Sequence, residues 1–338
     1  MADKHPAKER SLLGHPMAKW GLFMGLLFVV WFAGWFAIAR FADGKVGEAL
    51  ANLEQRGIEI SCSDRDIVGF PFRMGIACSS VDVADDVHDY ALNAGGLRSA
   101  AQIYSPRKNV VEIASPFSFT AQGQEVNATW NMMRVFIAQQ GHGFDRLSLN
   151  WTDLKAQGLN GELESSAGAL HLRPNPDAVS DLDVAGNWDD LVVNGDASLR
   201  ASIAYDTVLK AAYETIIEQR KRPIDWLKDG GEINVRSLFI VLPDGGRLAL
   251  SGPLKVSADG MLNGSVNFGL DDADALAKFV AEINPEFGPI VLGLGQGINM
   301  LGSETAFGER SIKAVTVNIE DGWTQIGPLK LGRIPPIF

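Results

Sequence analysis

Few side chains in this sequence are spaced for chemistry. Ser105-Pro106-Arg107-Lys108 matches S-x-x-K, which puts a serine nucleophile and a lysine on one helical turn in penicillin-binding enzymes. Here the segment leads into the strand-like Asn109–Ala114, and the S-D-N and K-T-G elements are missing, so it predicts a turn. The body histidines His88, His142 and His171 stand apart, each near Gly, Asp or Pro, without the H-E-x-x-H or H-x-H spacing that holds a metal. They read as exposed turn residues. Gly293-Leu294-Gly295-Gln296-Gly297 has part of a dinucleotide fingerprint but neither the preceding strand nor the full G-x-G-x-x-G form. Small residues that let a helix approach its neighbour explain it better.

The acidic groups Asp85/Asp86/Asp89, Asp181/Asp183 and Asp271/Asp272/Asp274 lack the D-x-D-x-D-G loop and distal Glu of a calcium site. Helix caps and solvated turns account for them. No G-x-S-x-G elbow and no phosphate-binding P-loop occurs. The sequence names no catalytic residue, metal or cofactor, and the expectation is a protein that is not an enzyme. Cys62 and Cys78 are the two cysteines, with no C-x-x-C and no histidine between them. In an oxidising compartment the even count predicts a structural disulfide, set against catalytic or metal-binding alternatives.

The compartment follows from Trp20–Ala39, twenty positions without a charge. About 20 apolar residues cross a bilayer core of about 30 Å. Lys4, Lys8, Arg10 and Lys19 precede it against Asp3 and Glu9, so residues 1–19 should stay in the cytoplasm and the bulk should face the periplasm. A cleaved signal peptide is the competing reading, but its apolar core usually runs only about 7–15 residues, and Arg40 is a poor neighbour for cleavage after Ala37-Ile38-Ala39. The 338-residue chain is 46% hydrophobic with a net charge of −11, and the basic tail leaves residues 40–338 at −13. Such a body excludes nucleic acid as a partner, because phosphate backbones need a basic footprint. It also argues against the body lying flat on an anionic membrane.

Past the anchor, residues 40–57 predict a short juxtamembrane helix, with Val46, Ala49, Leu50 and Leu53 on one stripe and Gly57 as a stop. Residues 58–338 predict a mainly antiparallel α+β body. Short alternating segments recur every 8–12 residues or so, as in Ile58–Cys62 and Arg146–Trp151. Asp244-Gly245-Gly246, Asp259-Gly260 and Asp321-Gly322 are hairpin turns. Helices are expected at 205–222, 271–283 and 289–301, with a possible sub-boundary near 205–231. The sheet is either one curved half-pipe or two layers.

Gly69-Phe70-Pro71-Phe72-Arg73 is the most distinctive short motif. Read from the residues, Gly69 permits a tight path, Pro71 fixes the backbone, the two phenylalanines bury, and Arg73 satisfies a carboxylate or carbonyls, giving a structural corner of the sheet. The motif resembles an uncharacterised proteobacterial family of single-span envelope proteins. Gly252–Val256, Asp259–Gly264, Ile326–Leu329 and Arg333–Pro336 extend the resemblance over most of residues 40–338. The G-x-L-x-x-x-x-D-G-x-L-x-G pattern is more remotely similar to AsmA-like proteins, which implies an inner-membrane-anchored, β-rich protein linked to lipid or outer-membrane homeostasis. The resemblance supplies no catalytic residues. Two functions follow: a module that binds lipid or another amphipathic molecule on a greasy sheet face, or an envelope scaffold whose Ile334–Phe338 ending docks into a protein partner.

Overall fold

The computed structural model describes residues 16–55, 57–85, 89–121, 123–140, 143–158, 161–219, 221–283, 285, 287–308 and 310–338. The anchor and juxtamembrane segments form one unbroken helix, α1 (Pro16–Glu54). Four short strands follow, β1 (Ile58–Ser63), β2 (Asp66–Val68), β3 (Arg73–Cys78) and β4 (Ser80–Asp85). The strands then lengthen through β5 (Tyr90–Gln102), β6 (Ser105–Ala121), β7 (Gln124–Thr129), β8 (Met132–Gln140), β9 (Gly143–Gly158) and β10 (Gly161–Pro174). Next come β11 (Leu182–Val193), β12 (Ala201–Leu209), the short helix α2 (Pro223–Lys228), β13 (Glu232–Val241), β14 (Arg247–Val256) and β15 (Leu262–Asp271). Two helices, α3 (Ala273–Ile283) and α4 (Phe287–Leu301), precede β16 (Ser303–Phe307), β17 (Arg310–Glu320), β18 (Trp323–Ile326) and β19 (Leu329–Arg333).

Among the described residues, all nineteen strands belong to one sheet rather than two. Every pairing is antiparallel, and most neighbours in sequence are neighbours in space. At the first edge β5 is shared: its first half pairs with β4 and its second half with β3. Short Gly- and Asp-containing turns make this meander possible. Gly245 and Gly260 have positive φ, and Asp321 and Gly322 both do, which matches the twist of a two-residue hairpin.

Residues 205–222 depart from expectation. Tyr205–Leu209 lie in β12, which is registered between β11 and β13 over its whole length. The apolar stripe that suggested a helix is the alternation of a strand, followed at Ala211 by positive φ and a π-helical turn at Tyr213–Glu218. Two neighbouring strands outweigh local helix propensity. Pro223 opens α2, where its missing N–H costs nothing. Ser105–Lys108 likewise begin β6; the turn falls just before them, at Ile103–Tyr104.

Among the described residues, buried side chains form four clusters along the sheet. One gathers Trp130, Trp151 and Leu154; a second packs Tyr213 and Trp226 under β11 and β13. The others centre on Phe307 beside Ala249, and on Val266 with Val317. The second cluster is closed by hydrogen bonds from the Tyr213 hydroxyl to the Phe144 carbonyl (2.9 Å) and from the Trp226 indole to the Lys210 carbonyl (3.0 Å).

Candidate functional site: an anchor-facing loop and an apolar sheet face

The Cys62–Cys78 disulfide forms, joining β1 to the end of β3 with Cα atoms 5.3 Å apart. It ties β1 to β3, one of the two strands that carry the Gly69–Arg73 loop. Gly69 sits at φ +110°, and a Cβ there would lie 2.9 Å from the Arg73 backbone, so the turn needs glycine. The Arg73 N–H closes the loop on the Gly69 carbonyl at 2.9 Å, across a cis Phe70–Pro71 peptide.

The two phenylalanines of this loop do not bury in a corner of the sheet. They pack on α1. Phe70 meets Phe32 and Trp35 edge-on, with ring centroids 5.4 and 5.5 Å apart, and Phe72 meets Trp31 at 6.0 Å. The Trp35 indole donates to the Arg73 carbonyl at 3.2 Å, and Arg65 pairs with Asp43 at 2.9 Å further along the helix. Trp35 and Ala39 are thereby buried, whereas most of the surrounding apolar segment is exposed. The partner of the motif is the apolar N-terminal helix itself.

The second feature is continuous across the sheet. From Leu97 the register passes to Ile113, Met133 and Trp151. It crosses Gly168 to Trp188, then runs through Ile203, Ile240 and Leu248 to Leu270. Directly opposed residues share a face, so these form one apolar row. A second row beside it carries Val111, Val135, Leu149 and Leu170, crosses Gly186 to Tyr205, and reaches Leu238, Leu250 and Phe268. Each glycine lies beneath an aromatic ring: a Cβ on Gly168 would meet Trp151 at 2.1 Å, and one on Gly186 would meet the Tyr205 hydroxyl at 2.8 Å. Trp151 and Trp188 close over Gly168 with centroids 4.5 Å apart. Apart from Trp151, the side chains of both rows are only half-buried. With strands about 4.8 Å apart, the rows run for about 45 Å, longer than an extended acyl chain.

Between β9 and β13 the opposite face carries a polar cluster, while further along it Phe239 and Ala249 pack on Phe307. His171 Nδ1 lies 2.8 Å from the Ser148 hydroxyl, a pair made by direct cross-strand register that the sequence spacing did not reveal. Among the described residues no carboxylate hydrogen-bonds to that imidazole. Their strand N–H groups are engaged in the ladder, so the pair has no ready oxyanion donors. Nearby, buried Asp183 accepts from Asn175 (2.7 Å), Arg236 (3.0 Å) and Arg173 (3.1 Å), while Arg236 also pairs with Asp206. Burial alone would raise the Asp181 carboxyl, but the Ala211 N–H and the Lys210 ammonium outweigh it and hold it below its usual range. These aspartates are structural ties. His88, His142 and Asp86 lie outside the described residues. Asp272 caps α3 through the Ala275 N–H, as acidic residues at a helix start should. No group of three or more metal-ligating side chains occurs among the described residues.

A long apolar N-terminal helix joined to one large antiparallel sheet defines a class of β-rich protein with a candidate membrane span. Residues 35–335 match the model of a family of uncharacterised proteins conserved in bacteria, DUF2125, and the chain belongs to that family. The match begins at Trp35, so it takes in the Gly69–Arg73 loop and the Trp35 that packs on it, while Phe28, Trp31 and Phe32 precede it. No curated protein and no solved structure shows significant similarity.

Proposed function

We propose that this is a single-span, inner-membrane-anchored protein, amino terminus in the cytoplasm and body in the periplasm, that shelters lipid or another amphipathic molecule on its apolar sheet face. The observation that carries the reading is the pair of apolar rows, one across ten strands and one across nine, crossed only by Gly168 and Gly186 and left half-buried. A sheet whose greasy face is packed only in part offers a continuous surface to an acyl chain, and each buried CH₂ contributes about 0.8 kcal/mol. The remote likeness to AsmA-like proteins points the same way. The role is non-catalytic and needs no cofactor.

The scaffold alternative leaned on the apolar ending. That ending is tied down: the Ile334 N–H bonds to the Gly322 carbonyl and the Ile337 N–H to the Gly260 carbonyl, while Lys228 lies over the Phe338 ring. It serves to close the hairpin ends. A photo-crosslinking amino acid placed at 149 or 238 of the full chain, in cells fed an alkyne-bearing fatty acid, tests the lipid reading. Lipid adducts from these row positions and not from position 150 on the opposite face are expected. Protein adducts alone from 149 and 238 would replace lipid handling with the scaffold.

A further inference from the structure

The contacts between the Gly69–Arg73 loop and α1 set the depth of that loop. Phe70 touches Phe28 (6.5 Å between centroids) as well as Phe32 and Trp35. Taking Trp20–Ala39 as the span proposed above, Phe28 lies eleven residues before its end. That is a rise of about 16 Å, roughly half of a hydrocarbon core of about 30 Å. The loop tip therefore lies within the leaflet at which the span ends, not above it. Its composition suits that position. Phe72 is 63% exposed and Phe70 38%, and at the adjoining turn Tyr104 is 76% exposed. The two turns are tied by a bond from the Ile103 N–H to the Phe72 carbonyl.

Next to this apolar tip is a cavity of about 820 Å³ whose walls include Phe70, Phe136, Arg73, Arg98, Lys108 and the pair Glu112–Arg134. Arg134 is bonded to Glu112, whereas among the described residues Arg73, Arg98 and Lys108 have no ion-pair partner. Three uncommitted cations meet here in a body that otherwise carries a large net negative charge. Arg98 and Arg134 project from the face of the sheet opposite the apolar rows, so this cavity is a separate site from the groove.

We propose that the Gly69–Arg73 loop is inserted into the outer leaflet and that the cavity beside it takes the phosphate of an anionic lipid headgroup, held by Arg73, Arg98 and Lys108. Guanidinium forks and an ammonium are the groups that recognise phosphate oxygens. The volume admits a glycerophosphate as well as the phosphate itself. Such a site fixes one corner of the body on the membrane although the body as a whole is acidic. The inference rests on the span reading and not on lipid in the groove.

The test uses the full chain reconstituted into phosphatidylcholine vesicles with and without phosphatidylglycerol, carrying a benzophenone amino acid at position 72 or 136. Position 72 should crosslink to acyl chains in both vesicles. Position 136 should capture phosphatidylglycerol about tenfold more than phosphatidylcholine, and R73Q/R98Q/K108Q should abolish that preference while leaving the adduct at 72 intact. A chain released from vesicles by alkaline carbonate would sink the span reading itself. An integrated chain with no acyl adduct at 72 overturns insertion. Equal capture of the two lipids at 136 overturns headgroup recognition. If soluble glycerol phosphate erases the phosphatidylglycerol adduct, the cavity serves a free phosphate ester and the lipid assignment falls.

Discussion

Leu149 and Trp151 are two residues apart on β9, yet an open groove requires them to behave differently. Trp151 is 3% exposed, locked against Trp188 over Gly168 with its indole donating to Ser165. Removing such a side chain costs about 3–5 kcal/mol, part transfer and part cavity. Leu149 is half-buried, in the row left open. Full burial of a leucine contributes about 1.5–3 kcal/mol, so a side chain still partly wet loses about 1 kcal/mol on becoming polar. For a body of this size about 1 kcal/mol shifts Tm by about 2–4 °C. L149N should therefore lower the far-UV circular dichroism midpoint of the full chain in lipid nanodiscs by a few degrees, and W151A by about 10 °C. A filled core would reverse the first expectation: asparagine would leave an unsatisfied amide in a dry site and L149N would fall as far as W151A. That result would refute the groove and the lipid reading built on it.

Replacing both cysteines, C62S/C78S, should cost about 3 kcal/mol in the chain-entropy picture and be reproduced by reductant in the wild type, read from the same midpoints. Gly69→Ala forces a methyl group against the Arg73 backbone at positive φ, a penalty of about 1–3 kcal/mol; limited proteolysis should find cleavage between 66 and 73 accelerated while distant hairpins stay protected. The Asp181 carboxyl is held below its ordinary value of 3.8, so its contribution is present above about pH 4 and is lost as the pH falls through its lower folded value. In urea titrations D181N should be less stable than wild type at pH 7, with the gap closing as the pH drops below 4; a gap unchanged with pH would show that the carboxylate charge contributes nothing.

What could be read in advance was local. The charge-free run at Trp20–Ala39, the Asp-Gly turns and the strand alternation each have a short-range cause, and the α3 and α4 segments match the structure to within two residues. The Tyr205–Leu209 segment was misread because five residues with Tyr, Val and Leu fit a helical stripe as well as an alternating strand; only pairing on both sides decides. The role of the Gly69–Arg73 loop was invisible for another reason. Its partner lies 38 residues away in a segment that sequence reasoning assigns to lipid, so phenylalanines were expected to turn inward to the sheet. The apolar rows needed register. Alternation marks which residues of a strand share a face, but lining Leu97 up with Ile113 and Met133 across three strands requires the ladder itself.

An open sheet, unlike a barrel, has two outermost strands whose free N–H and C=O groups can template another chain. At the start, α1 lies along β1 and β2 and covers that side. At the finish, β19 is only five residues long and carries Lys330 and Arg333, whose cationic groups sit over the Trp323 ring of the strand beside it. Pro335 and Pro336 follow at once, and a proline offers no N–H to a newcomer. Strand addition is thus opposed at one end by the apolar helix α1 and at the other by charge and proline. A long apolar face can therefore stay half-buried in a sheet whose two ends disfavour pairing with another strand.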